Sequence, residues 1–97
     1  MEIIQSGENE ITIKGFMTKV ENYFNLKKVI KSLMEEGATN LTVKIPESVT
    51  MTSSIISLFL RAVNEDHIKL KVCVGKEELY RLLETLKLVK VFDVSYL

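Results

Sequence analysis

Three segments of the chain alternate strictly between apolar and polar residues. They are residues 11–14, 41–45 and 68–74, and their polar positions are mostly threonine and lysine. Successive side chains of a β-strand point to opposite faces of the sheet, so this pattern predicts strands with one dry face and one wet face. A doubly wound sheet carries helices on both faces and needs continuous apolar strands instead. The alternation therefore excludes a doubly wound domain and predicts that all helices pack on the same side.

Stretches whose apolar residues have helical spacing lie between the three alternating segments and after the last one. Apolar residues recur at helical spacing between residues 20 and 36, and Gly37 follows as a natural stop. A second helix is predicted over about residues 53–66, and a third from four leucines spaced i, i+3, i+4 and i+7 between Leu79 and Leu86. Strands that alternate with helices in this way favour parallel pairing through crossover connections.

The two ends of the chain complete the order ββαβαβαβ. A turn-rich quartet at residues 6–9 precedes the first alternating segment and predicts an opening β-hairpin, and a short closing strand is expected around residues 91–94. A chain of 97 residues holds one core between two layers, so residues 1–97 are expected to form a single domain. We therefore predict an α/β fold with a mixed four- to five-stranded sheet opened by the hairpin and three main helices packed on one face.

The charge balance narrows the classes of partner. Thirteen basic residues match thirteen acidic ones, which removes the positive surface expected of a protein that binds nucleic acid or anionic lipid directly. The first ten residues lack the apolar run of a signal peptide, and the longest apolar-rich stretch, residues 55–63, falls far short of the roughly 20 residues of a membrane span. We expect a cytoplasmic protein that does not insert into membranes.

Chemistry-bearing residues are sparse. The single histidine, His67, is expected in a solvated turn, and the single cysteine, Cys73, is expected to be a passive strand residue that can form neither a disulfide nor a cysteine-ligated zinc site. Adjacent carboxylates such as Glu35 and Glu36 point about 100° apart on a helix, which is typical of a solvated face. We expect no catalytic activity, no metal and no cofactor.

The second predicted helix carries the most unusual pattern. Its approach, residues 49–54, is rich in hydroxyl side chains, and either Thr52 or Ser53 is expected to cap the helix. A polar stripe then recurs at i, i+3, i+7 and i+11: Ser54, Ser57, Arg61 and Glu65. The apolar arc beside the stripe is wider than one core contact requires, which predicts that Leu58 or Leu60 reaches the surface as part of a docking site. A hydroxyl at a helix N-terminus also suits a phosphate group.

Three stretches of the sequence resemble a known family over nearly the whole chain. They are residues 11–15 running into a long helix, residues 41–45 followed by a loop and residues 52–58, and residues 77–94, of which 86–94 are like the family's closing segment. In these stretches the chain resembles the STAS domain (sulfate transporter and anti-sigma-factor antagonist) in its stand-alone bacterial form. The resemblance implies a non-enzymatic regulator of transcription that works through a protein partner.

The resemblance also implies a phosphorylation site. Family members commonly carry Asp-Ser-Ser-Gly before the second helix, and a partner serine kinase phosphorylates the second serine. Thr52 takes the aspartate position here, Ser53 and Ser54 take the serines, and Ile55 takes the glycine. Thr18 stands at a position that is often acidic in the family. Ser54 is therefore the first candidate for the phosphoacceptor, with Ser53 and Thr52 as second choices.

Two functions of different classes follow. In the first, the unmodified domain binds a kinase-type anti-sigma factor or related regulator, and phosphorylation releases it. In the second, the domain is a constitutive scaffold subunit of a stress-sensing complex or transport machine, without a switch. Either way, we expect a monomer or weak dimer whose partner-binding surface lies on the second helix and its approach. The expected contact residues are Thr50, Met51, Thr52, Ser53, Ser54, Ser57, Leu58 and Arg61.

Overall fold

The computed structural model describes every residue from Met1 to Leu97 and contains five strands and three helices in the predicted order. The strands are β1 (Glu2–Gly7), β2 (Glu10–Lys14), β3 (Asn40–Ile45), β4 (Lys69–Val74) and β5 (Val94–Tyr96). The helices are α1 (Val20–Glu35), α2 (Ser53–Asn64) and α3 (Glu77–Thr85). Each of the three alternating segments forms a strand, which confirms the sequence prediction.

The five strands form one mixed sheet in the order β1-β2-β3-β4-β5. β1 pairs antiparallel with β2, and the other neighbours pair in parallel. Each crossover from β2 onward advances by one strand in the same direction, so right-handed connections place all three helices on one face. Burial agrees: Ile11, Val43 and Val72 are fully buried under the helices, whereas Lys69 and Lys71 are exposed on the opposite face. The predicted fold class is confirmed.

The open face of the sheet carries a closed polar network at its β1–β3 end. The Thr12 hydroxyl donates to Ser6 Oγ at 2.9 Å, and the Ser6 hydroxyl donates to Glu10 Oε2 at 2.7 Å. Lys44 Nζ lies 3.4 Å from Glu10 Oε1. The hydrogen bond from Ser6, together with the Lys44 ammonium, lowers the pKa of Glu10 below its ordinary value. The polar side chains of this region therefore satisfy one another without a partner.

α1 forms because apolar residues at positions 26, 30 and 33 fall on one side of the helix. Leu26, Ile30 and Leu33 are buried against the sheet. The helix stops where predicted, since Gly37 adopts a φ of +96°, a conformation that favours glycine. None of the three helices is both long enough and apolar enough to cross a membrane.

Two helix boundaries differ from the prediction. α2 ends at Asn64 rather than near residue 66, because the chain turns sharply through His67, whose φ is +55°. α3 buries Leu79 and Leu83 as the leucine spacing predicts, but Leu86 lies beyond its last turn and is exposed. The leucine pattern therefore continues past the helix that it predicts.

The predicted closing strand is present, but β5 occupies Val94–Tyr96 rather than residues 91–94. The preceding segment folds into successive turns in which the Phe92 N–H donates to the Leu88 carbonyl at 2.9 Å and the Val94 N–H donates to the Val89 carbonyl at 2.8 Å. These turns bury Phe92 completely, with its ring edge-to-face on that of Phe59 at 5.9 Å. Burial of a large aromatic side chain from a turn has displaced the strand toward the end of the chain.

Candidate partner-binding site

The loops that follow β2 and β3 lie side by side, because the carboxyl ends of parallel strands meet at one edge of the sheet. Met17 in the first loop and Met51 in the second form an isolated parallel bridge. The fully buried Ser48 hydroxyl accepts a hydrogen bond from the Met17 N–H at 3.3 Å and donates one to the Thr50 carbonyl at 2.7 Å. The two loops are thus held together as one platform.

α2 begins on this platform with a side-chain cap. Thr52 has an extended backbone, with φ −67° and ψ 154°, and its Oγ1 accepts a hydrogen bond from the Ile55 N–H at 3.3 Å. The cap is therefore Thr52, one of the two predicted candidates. Ile55 is fully buried, whereas Ser53 and Ser54 are exposed in the first turn. Their N–H groups have no carbonyl partner within the helix, because the first turn of a helix leaves its donors free.

A cavity of about 310 Å³ lies between the first turns of α1 and α2. Its lining residues are Thr18, Lys19, Val20, Tyr23, Phe24, Thr52 and Ser54. The Ser54 hydroxyl is exposed at this cavity and makes no hydrogen bond within the protein. Thr18, which the sequence resemblance placed at the family's acidic position, lines the same cavity as Ser54. The structure therefore brings together two positions that are 36 residues apart in the chain.

Val20 and Phe24 line this cavity and remain exposed, and Phe16 is exposed in the loop after β2. Val20 is 77% exposed, Phe24 57% and Phe16 55%, and the Phe24 ring packs edge-on against Tyr23 at 5.2 Å. Val49, in the loop after β3, is also exposed. We call the exposed and partly exposed residues of this region the carboxyl-edge surface. It consists of Phe16, Thr18, Val20, Phe24, Val49, Thr52 and Ser54.

The sequence argument missed the α1 side of this surface, although the sequence holds a signal for it. Val20 and Phe24 lie four residues apart and more than about 100° around the helix from the buried residue Leu26. Exposed aliphatic and aromatic side chains off the core-facing side are typical of an interaction site. The sequence prediction counted all apolar residues between positions 20 and 36 as one helical pattern and so did not separate Phe24 from the buried set.

Burial divides the eight residues expected to contact a partner. Five are exposed or partly exposed around the start and outer side of α2: Thr50, Thr52, Ser53, Ser54 and Ser57. Arg61 is exposed farther along the helix, where its Nε lies 4.0 Å from Glu65 Oε2. The polar stripe is therefore the outer side of α2, as its spacing predicts.

Met51 and Leu58 are buried and do not belong to the exposed outer side of α2. Met51 is 4% exposed because its segment pairs with the loop that contains Met17, and Leu58 is 6% exposed. The expected surface position for these two residues is corrected accordingly, while Leu60 is partly exposed. α2 packs against α1 and β4, and its Phe59 ring lies edge-to-face on Phe92, so its wide apolar arc is used in packing.

The other chemistry-bearing residues are scattered. His67 is exposed in the turn after α2, whereas Cys73 is buried on the open side of β4 with its Sγ 3.7 Å from Ser95 Oγ. No three side chains among the histidine, the cysteine, the aspartates and the glutamates are grouped so that they could hold a metal ion. The region with the most distinctive chemistry is therefore the carboxyl-edge surface.

A comparison with family models, curated proteins and solved structures found no match to this chain. The resemblance to STAS domains stays an expectation based on the motifs around residues 11–15, 52–58 and 86–94. The role of the carboxyl-edge surface must therefore be inferred from its own side chains together with that resemblance.

Proposed function

We propose that the chain is a non-enzymatic regulatory interaction domain of the STAS type. It binds a kinase-type anti-sigma factor or related regulator through the carboxyl-edge surface, and phosphorylation of Ser54 releases that partner. One observation carries the proposal: an exposed serine hydroxyl without an internal hydrogen bond stands in a cavity of about 310 Å³ that the exposed side chains of Val20 and Phe24 also line. This combination suits a protein-binding site built around a hydroxyl that can be modified.

The apolar side chains would supply the binding energy. Aromatic residues that enter a partner's pocket dominate many protein interfaces, and Phe16 and Phe24 are available for this role. The Ser48 hydrogen bonds and the Met17–Met51 bridge hold the surrounding loops in place before binding. A surface that is already ordered loses less conformational entropy on association, which favours affinity.

Phosphorylation of Ser54 would act differently on the domain and on the complex. A phosphate adds about 1.5 to 2 negative charges at neutral pH. The free N–H groups and the positive dipole end of α2 favour an anion at this place, and Lys19 lines the same cavity, so the domain should tolerate the modification. A partner surface that had packed against Phe24 and a neutral hydroxyl would instead have to desolvate a dianion. The complex should therefore weaken.

A constitutive scaffold is the alternative, and the start of α2 favours it. The Thr52 side chain serves as the helix cap, and the fully buried Ile55 stands where the family has a flexible glycine. Ser54 thus lies in a fixed helical turn. A kinase would have to phosphorylate it without any change in the conformation of that turn. Permanent docking through the same surface needs no such access.

Co-purification from the native host with wild type, Ser54→Ala and Ser54→Asp distinguishes the two functions. If the domain is a switch, Ser54→Ala keeps the partner, while Ser54→Asp folds normally and loses about 1–3 kcal/mol of binding free energy. Ser32→Asp, which adds the same charge at an exposed position near the far end of α1, is the matched control and should bind as wild type. Phosphopeptide mapping of residues 48–57 completes the test. Identical partners for all variants, with no phosphate in that segment, would leave the scaffold and remove the switch.

A further inference from the structure

A second concave region lies between α1 and α2, farther from the carboxyl edge than Ser54. This groove has a volume of about 280 Å³. Its floor is apolar and is made by Ile30, Met34, Leu58 and Ala62. We call it the α1–α2 groove. It has room for a large apolar side chain from a bound molecule.

The rim of the α1–α2 groove is positively charged. Lys27 and Lys31 on α1 and Arg61 on α2 line it, and Asp66 is the one acidic residue among the lining side chains. Neither Lys27 nor Lys31 forms an ion pair, and the Lys27 ammonium lies 5.8 Å from the centroid of the Tyr23 ring. A chain with a net charge of zero has thus placed three cations around one apolar hollow.

The spacing of the cations fits a helical ligand. Lys27 and Lys31 are one helical turn apart, which separates their attachment points by about 6 Å along the α1 axis. Carboxylates at positions i and i+4 of a second helix lying along the groove have the same separation. A small anion could satisfy the rim but would leave the apolar floor in contact with water, and a purely apolar ligand would leave the rim unused. An acidic amphipathic helix satisfies both.

We propose that the α1–α2 groove binds an acidic amphipathic helix of a partner protein. An apolar side chain of that helix enters the hollow above Leu58 and Ala62, and its flanking carboxylates pair with Lys27, Lys31 and Arg61. This mode of recognition buries an apolar helical face in a groove and uses charge to set orientation and partner choice. The proposal goes beyond the Ser54 surface and needs neither a phosphorylation event nor the regulator assigned to that surface.

The probe is a synthetic peptide of about 16 residues, long enough to form a helix, with leucines on one face and glutamates beside them. Its binding to the full chain is followed by fluorescence anisotropy. Two control peptides are used: one with lysine in place of every glutamate, and one with serine in place of every leucine. We expect the acidic amphipathic peptide to bind at least about tenfold more tightly than either control, and more weakly as salt is raised.

A pair of double variants locates the binding site. Lys27→Glu with Lys31→Glu reverses the rim of the groove, whereas Lys69→Glu with Lys71→Glu makes the same change in net charge on the open sheet face. We expect the rim variant to weaken binding by about tenfold or more and the sheet variant by less than about twofold. All four lysines are exposed, so both proteins should fold.

Two further measurements keep the test decisive. Methyl NMR shifts on addition of the probe should map to Ile30, Leu58 and Ala62, and Ser54→Asp should bind the probe as wild type does. Retained probe binding together with loss of the regulator in Ser54→Asp would separate this site from the carboxyl-edge surface. Absence of saturable binding to wild type, equal affinity for the three peptides, or equal weakening in the two double variants would overturn the proposal.

Discussion

The open face of the sheet and the carboxyl-edge surface differ in whether their exposed side chains have bonding partners within the protein. On the open face, Ser6, Glu10, Thr12 and Lys44 bond to one another, and no large apolar side chain is more than partly exposed there. At the carboxyl edge, Phe24 and its apolar neighbours face water, and the Ser54 hydroxyl has no internal partner. The first region is complete in the isolated chain, whereas the second has unused apolar area and hydrogen-bonding capacity. That difference is the reason for placing the proposed partner at the edge.

The largest expected effect is on the free energy of unfolding, and it tests whether the loops that carry the carboxyl-edge surface are held rigidly. A Cβ added to Gly75 would lie 2.8 Å from both the Cα and the carbonyl carbon of Pro46 and still closer to its carbonyl oxygen. The Gly75 N–H also donates to the Ile45 carbonyl at 2.8 Å, so the loop after β4 cannot simply move away. We expect Gly75→Ala to lower the free energy of unfolding by about 3 kcal/mol, measured by urea denaturation.

Gly37→Ala is the matched control for this steric effect. A Cβ at Gly37 meets open space, although its positive φ imposes backbone strain. The expected loss is about 1–2 kcal/mol. A Gly75→Ala protein as stable as Gly37→Ala would show that the close approach to Pro46 is not a constraint on the platform.

The next prediction compares what Phe24 contributes to partner affinity with what it contributes to the free energy of unfolding. Phe24 is largely exposed, so Phe24→Ser should change the free energy of unfolding by no more than about 0.5 kcal/mol, yet cost about 2 kcal/mol in affinity for the partner that wild type recovers. Tyr96→Ser removes a similarly exposed aromatic side chain on β5 and should leave that affinity unchanged. If both substitutions weaken the partner equally, the apolar edge has no special role in binding.

A smaller effect concerns the hydrogen bonds beneath the edge. Ser48→Ala removes the acceptor of the Met17 N–H and the donor to the Thr50 carbonyl in a fully buried position. Buried polar groups that lose their partners should cost about 1–2 kcal/mol of unfolding free energy. Ser53→Ala, at an exposed position in the first turn of α2, is the control and should change it by less than about 0.5 kcal/mol. Hydrogen exchange at Met17 should also accelerate in Ser48→Ala alone.

Local sequence patterns predicted most of the fold because most of these patterns are compatible with only one secondary structure. Alternation at residues 41–45 could only mean a strand with one wet face, and a hydroxyl at Thr52 before an apolar run could serve as a helix cap. The closing strand was predicted too early, at residues 91–94, because residues 88–92 satisfy a strand and a series of turns equally well. The deciding factor was burial of Phe92 against Phe59, a contact between distant parts of the chain that no local pattern contains.

The candidate site was predictable only in part, for the same reason. The hydroxyl side of α2 was found because Ser54, Ser57 and Arg61 are close in sequence. The α1 side was missed because Phe24 and Ser54 come to line one cavity only after β2 and β3 pair. Leu58 was assigned to the surface because the sequence of α2 alone does not show which elements pack against it. Whether a side chain is buried depends on the elements packed against it, and the topology of the fold determines which elements those are.

The smallest expected effect tests the claim that the open face is complete in itself. The Ser6 hydrogen bond, reinforced by Lys44, lowers the pKa of Glu10 in the folded protein, so the ionised carboxylate stabilises the fold. This contribution is fully present above the pKa that Glu10 has in the unfolded chain and is lost as the pH falls through its lower folded pKa. Denaturation between about pH 6 and pH 2 should therefore show a stability decrease that is slightly smaller in Glu10→Gln than in wild type.

Glu8→Gln, whose carboxylate in the hairpin turn forms no ion pair, should follow the wild-type curve. Superimposed curves for Glu10→Gln and wild type would mean that the network adds nothing to folding, and the contrast between the two surfaces would then rest on the exposed apolar side chains alone.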